Sequence, residues 1–132
     1  MDYPAFLTSV WASGGYADRA TAEETVRAVL TLLGQRLGAG AARELADRLP
    51  AEAAHKLLAE AHEAPRSWDG GEFVRHLARA FGVTEPEATA DATAVLTALA
   101  DLLGGAPVNG LLSGLPSDFA DLFGRHGDNH PR

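Results

Sequence analysis

Residues 28–50 read "AVLTLLGQRLGAGAARELADRLP" and residues 94–116 read "AVLTALADLLGGAPVNGLLSGLP". The two stretches share an apolar pattern, a Gly-containing turn and a closing Leu-Pro pair at an offset of 66 residues. Upstream the match continues. Asp2, Phe6 and Val10 correspond to Asp69, Phe73 and Leu77 at an offset of 67, so the first copy carries one extra residue near Ala17. Then Asp18, Ala22, Val26, Val29, Leu30, Leu33 and Leu37 correspond to Thr84, Ala88, Ala92, Val95, Leu96, Leu99 and Leu103. Downstream, Leu45, Leu49, Pro50 and Leu57 correspond to Leu111, Leu115, Pro116 and Phe123. The retained letters are largely apolar, so the repetition preserves a core.

Each copy reads as four helices. Ala22, Val26, Val29, Leu30, Leu33 and Leu37 recur at helical spacing and form one apolar stripe. Asp2 and Asp69 are short carboxylates suited to capping a first helix, and Asp69 with Glu72 has the capping-box form. Thr21 with Glu24 also has that form, but the repeat sets Asp18 opposite Thr84 and its partner Glu87, which favours Asp18 as the start of the second helix. Gly14–Gly15, Gly82, Gly38 and Gly104 stand where helices stop. Proline suits a first helical turn, so Pro50 and Pro116 are expected to open the fourth helices, the first running to about Glu63 and the second ending near Gly124. No segment alternates as a strand does.

The expected architecture is therefore all-α: two tandem four-helix repeats, residues 2–63 and 69–124, joined by a short linker at 64–68. They pack into one compact helical domain of residues 1–124 about a pseudo-twofold axis. Residues 125–132 are polar and expected to be a disordered tail. One four-helix unit of this size is marginal alone, so each copy is expected to complete the other's core.

Composition narrows the function. The chain has 132 residues and no cysteine, which removes disulfides, thiolate metal sites and cysteine nucleophiles. Its formal net charge is −7, which disfavours nucleic acid as a partner. The opening "MDYPAFLTSV" has neither the basic-then-apolar pattern of a signal peptide nor an apolar run long enough to span a membrane, so a cytoplasmic protein is expected.

The ordered set of an Asp before "YPAFL" or "GGEFV", then "AVLTLLGQRL" or "AVLTALADLL", a Gly-containing turn, and "ADRLP" or "LSGLPSDFADLF" resembles a bacterial family of domains of unknown function, number 2267. The resemblance runs from Asp2 to Phe123. It implies a two-repeat helical fold and a loose association with bacterial stress-response gene neighbourhoods, and it transfers no catalytic or binding residue. The chain departs from the pattern at "PVNGLLSG", where Gly110 and Gly114 replace Glu44 and Arg48 of the first copy. That segment is expected to be short, irregular, closely packed on another backbone or able to remodel on binding.

His55 and His62 share a face of an extended fourth helix but stand roughly 10 Å apart along its axis, too far for one metal ion without a bend. His126 and His130 flank a glycine in the tail, a poor frame for a metal. Glu23, Glu24, Glu85 and Glu87 fall in first helical turns, where carboxylates complement the helix dipole. "GAGAAREL" lacks the preceding strand and the Lys-Ser/Thr of a phosphate loop. No serine has a nucleophile context and no carboxylate pair has an acid/base spacing.

The surface candidates are Trp11, Arg75, His76, Arg79, Gly110 and Gly114. Trp11 corresponds to Ala78 and so plugs the core or anchors a partner. Arg75, His76 and Arg79 form a small basic patch able to take a phosphate or an acidic peptide, or simply the polar side of a helix. The primary expectation is a non-enzymatic, acidic interaction module with a protein partner, no cofactor and no bound metal. The alternative is a small-molecule binder whose apolar pocket lies between the copies, near Trp11 and the Gly-rich helix.

Overall fold

The computed structural model describes residues 2–125, and the ordered elements among them are eight α-helices with no strand. The helix starts are set by short polar side chains. Asp2 accepts from the Ala5 amide at 3.0 Å and opens α1 (Tyr3–Gly14). Asp18 accepts from the Thr21 amide at 2.8 Å and opens α2 (Arg19–Leu37), as the repeat alignment requires. The two capping boxes, Asp69 with Glu72 and Thr84 with Glu87, open α5 (Gly70–Phe81) and α6 (Glu85–Leu103).

The paired helices match in length: 12 residues for α1 and α5, 19 for α2 and α6. Their core stripes match too. Ala22, Val26, Val29, Leu30 and Leu33 of α2 are fully buried, as are Ala88, Ala92, Val95, Leu96 and Leu99 of α6. These two helices touch each other at the centre. The packing around them is reciprocal, with α1 lying on α6 and α5 on α2. Phe6 and Phe73 are completely buried at corresponding places.

The remaining helices are α3 (Ala39–Ala46), α4 (Ala51–Leu58), α7 (Gly105–Ser113) and α8 (Phe119–Leu122). Here the sequence expectations need correction. The first fourth helix, expected to reach about Glu63, ends at Leu58. The chain beyond it is recruited to close the junction of α2 and α3: the Ala39 amide donates to the His62 carbonyl at 2.6 Å, and the Arg66 amide to the Gln35 carbonyl at 3.1 Å. The second fourth helix does not open at Pro116 but begins at Phe119, and Asp118, just before it, gives its carboxylate to α5 and no cap to its own helix.

The Gly-rich third helix was expected to be short or irregular. It is a regular helix of 9 residues, against 8 for α3, and neither Gly110 nor Gly114 has another backbone pressed against it. His126, His130 and the rest of the expected tail beyond Arg125 lie outside the described residues.

Candidate functional site

A broad concave feature lies between α3 and α7. Each follows its long helix through a glycine in the left-handed half of backbone space, Gly38 at φ 84° and Gly104 at φ 88°. These turns swing α3 and α7 off the central pair and leave a half-open groove of about 800 Å³ between them. Ala41, Glu44 and Leu45 line it from α3, and Arg48 from just past its end. Pro107, Gly110, Leu111 and Gly114, then Leu115, line it from α7 and its exit. Arg36, Leu37 and Pro65 close the base.

The two walls differ in kind. α3 packs on α2 and α4 and buries Ala42, Leu45 and Ala46. α7 packs chiefly on α6, carries no charged residue and buries only Val108. Leu111 and Leu112 remain half-exposed, and a β-carbon at Gly110 would meet nothing within 4 Å. Charge is confined to Arg36, Glu44 and Arg48. Arg36 is itself held, its Nε donating to the Trp68 carbonyl at 2.6 Å and its guanidinium lying 5.8 Å from the Phe119 ring centroid. An apolar trough with a sparse charged rim binds by burial and orients by a few polar contacts; it offers no nucleophile or proton relay.

Gly110 and Gly114 thus sit in the groove, but Trp11 does not share it. Trp11 is half-buried against the core and its Nε1 donates to the Tyr16 carbonyl at 2.9 Å, closing the α1–α2 turn. Tyr16 continues the link, its hydroxyl donating to Asp91 on α6 at 2.7 Å. Burial and that carboxylate push the Tyr16 phenol well above its ordinary pKa.

Arg75, His76 and Arg79 lie elsewhere, on α5. Arg75 and Arg79 are exposed and line a shallow depression with Ala78, Gly82, Val83 and Glu85. His76 is half-buried, its ring stacked on Trp68 at 4.1 Å and 29°. Burial lowers its pKa, and the guanidiniums of Arg79, Arg66 and Arg75 lower it further against the opposing pull of Glu72.

Histidine spacing led nowhere structurally. His55 is exposed on α4 and His62 lies past its end, so the shared helical face does not exist. Among the described residues no group of three or more His, Asp or Glu side chains could hold a metal ion. Nor is any described helix long and apolar enough to cross a membrane.

One polar cluster escaped the sequence reading. Tyr3 donates to Glu23 Oε2 at 2.8 Å, Lys56 pairs with the same oxygen at 3.2 Å, and its ammonium lies 4.8 Å from the Tyr3 ring centroid. Burial and Glu23 raise the Tyr3 pKa beyond the usual phenol range. For Glu23 burial opposes ionisation, but the Tyr3 hydroxyl and Lys56 outweigh it and hold the carboxyl low. The cluster ties α1, α2 and α4 together. The separations of 20 and 33 residues among its members follow no local pattern that a sequence scan would register.

Fold and groove together define a class: an all-helical domain built on two central helices, with an open apolar trough to one side. Residues 3–122 match the family described as "Uncharacterized conserved protein (DUF2267)", and the chain belongs to that family. No curated protein matches it.

Proposed function

We propose that the chain is a non-enzymatic, acidic interaction module that holds an apolar helix of a partner protein in the groove between α3 and α7. The observation that carries this reading is α7 itself, an uncharged helix whose one fully buried side chain is Val108 and whose Pro107, Gly110 and Leu111 line the groove. Helices recognise such troughs through apolar anchors three and four residues apart. Glycine at position 110 lets a partner backbone approach closely. The reading sets the module in a bacterial cytoplasm, in keeping with the net charge of −7 and the character of the resemblance.

Gly110→Leu tests it, because the new side chain has room to enter the groove and leucine favours the helix over glycine. Native capture with the wild-type chain is expected to retain a stoichiometric protein that the folded variant does not. Equal retention by both would remove the groove as the docking face.

The groove volume also favours a second reading, since small-molecule sites commonly span about 300–1,000 Å³. Native mass spectrometry separates the two. A bound compound displaced by Gly110→Leu, with no protein partner, would establish the small-molecule site.

A further inference from the structure

The α5 face carries a second surface, independent of the groove. In a chain of 11 basic and 18 acidic residues, arginines are expected to find carboxylates. Among the described residues the one ion pair within 4.0 Å is Lys56–Glu23, so Arg66, Arg75 and Arg79 have no such carboxylate. They are nevertheless gathered. Arg66 lies 5.8 Å from the Trp68 ring centroid, Trp68 stacks on His76, and Arg75 and Arg79 stand one turn apart beside that imidazole. Between the last two the surface dips into a depression of about 350 Å³.

We propose that this cluster is a binding site for a phosphate monoester dianion, with Arg75 and Arg79 as the guanidinium forks and His76 as the neighbouring imidazole that senses its charge. Like charges held together without counter-ions repel, and an anion bridging them removes that cost. Guanidinium matches phosphate oxygens bidentately, which a carboxylate partner would exploit with half the charge. The Trp68 stack fixes the imidazole, so its orientation is set before the ligand arrives. Arg66, beside the indole, adds positive field, its chain anchored through its own amide to the Gln35 carbonyl.

Two carboxylates bear on the site. Glu72 is committed to the Asp69 amide in the α5 capping box. Glu85 lines the depression from the first turn of α6 and opposes an anion there, a repulsion that the two guanidiniums must outweigh. The shallow shape suits either free phosphate or a phosphorylated side chain presented on a protein surface.

The His76 ring signals of the full chain report binding by NMR, titrated with sodium phosphate and with O-phosphoserine at about 0.15 M salt, where loose ion clouds are screened. The expected result is a saturable shift with an upward move of the His76 pKa, because a bound anion favours the imidazolium. Both side chains are exposed, so Arg75→Gln/Arg79→Gln is expected to fold normally and to weaken binding by about tenfold or more. Arg43→Gln, on α3, is expected to leave binding unchanged. Tighter binding of O-phosphoserine than of phosphate identifies a phosphorylated side chain as the ligand; equal binding identifies the free anion. Non-saturable shifts, or shifts retained in Arg75→Gln/Arg79→Gln, mean an adventitious ion only and overturn the proposal. Gly110→Leu touches none of these residues, so failure here leaves the groove reading standing.

Discussion

Gly34 of α2 lies directly against the Leu57 carbonyl of α4, so close that a β-carbon at position 34 would collide with that backbone oxygen. The two helices cross where glycine alone fits. Alanine ordinarily stabilises a helix by about 1 kcal/mol over glycine, but here α4 must move away. Gly34→Ala is expected to destabilise the fold by about 2 kcal/mol, within the usual range for overpacking. Gly40 of α3 is the control, since a β-carbon there meets nothing within 4 Å. Gly40→Ala is expected to stabilise by about 0.5–1 kcal/mol. Urea melts of the pair measure both signs, and destabilisation by both would show that the α2–α4 contact is not the cause.

Asp118 caps a helix 47–48 residues away from it in the chain. Its two oxygens accept from the Gly70 amide at 2.8 Å and the Gly71 amide at 3.3 Å, adding to the local box of Asp69 and Glu72. Asp118→Ala leaves the buried Gly70 amide without this acceptor and is expected to cost about 1 kcal/mol. Faster hydrogen exchange at Gly70 and Gly71, with the Glu72 amide still held by Asp69, locates the effect. Uniform exchange across α5 would mean that Asp118 acts only on global stability.

These two contacts mark the boundary of what the sequence could disclose. The stripes of α2 and α6, their caps and their stop signals are local patterns, and they place both helices correctly. Asp18 was chosen over Thr21 by comparing the copies, and its carboxylate does accept from the Thr21 amide. The end of α4 was misplaced because its cause is remote: Ala39 and Gln35 draw residues 62–66 out of any helix. The cap that Asp118 gives α5 leaves no local signal for the same reason. Gly110 and Gly114 stood out as departures from the first copy, yet their opposite wall, Ala41 to Arg48 with Leu37 and Pro65, required knowledge of how the long helices turn at Gly38 and Gly104. Trp11 was misassociated with that pocket because asymmetry between copies says that a residue is special without saying where it points.

Tyr3 and Tyr16 make the fold sensitive to base. Each phenol is buried against a carboxylate, Glu23 or Asp91, and its native pKa is raised above the ordinary 10.0. Above that pH the unfolded chain sheds protons that the native chain keeps. The stabilisation is therefore present below about pH 10 and lost as pH rises toward the native values. Tyr16→Phe removes one of the two groups. It is expected to cost about 1 kcal/mol at neutral pH, through the lost bond to Asp91, and to flatten the decline above pH 10. Denaturant midpoints at neutral and alkaline pH measure both effects; an unchanged alkaline slope would exclude Tyr16 as a contributor.

His76 sets a separate sensitivity on the acid side. Its pKa is depressed below the ordinary 6.5 by burial and then by Arg79, Arg66 and Arg75. Between the native value and 6.5 the unfolded chain binds the extra proton, so stability rises with pH through this window and is lost as pH falls through it. Glu23 and Glu87 also have lowered values, but their contribution is present above about 4.5 and is lost only at still lower pH. The two losses are consequently staggered. His76→Leu keeps an apolar contact for Trp68 and removes the imidazole, so the decline just below pH 6.5 is expected to vanish while the carboxylate-driven decline persists. Arg79→Gln is expected to leave a smaller version of the upper decline, because burial still depresses the ring. A wild-type profile flat from neutrality down to about pH 4.5 would show that the three guanidiniums do not act on His76 together.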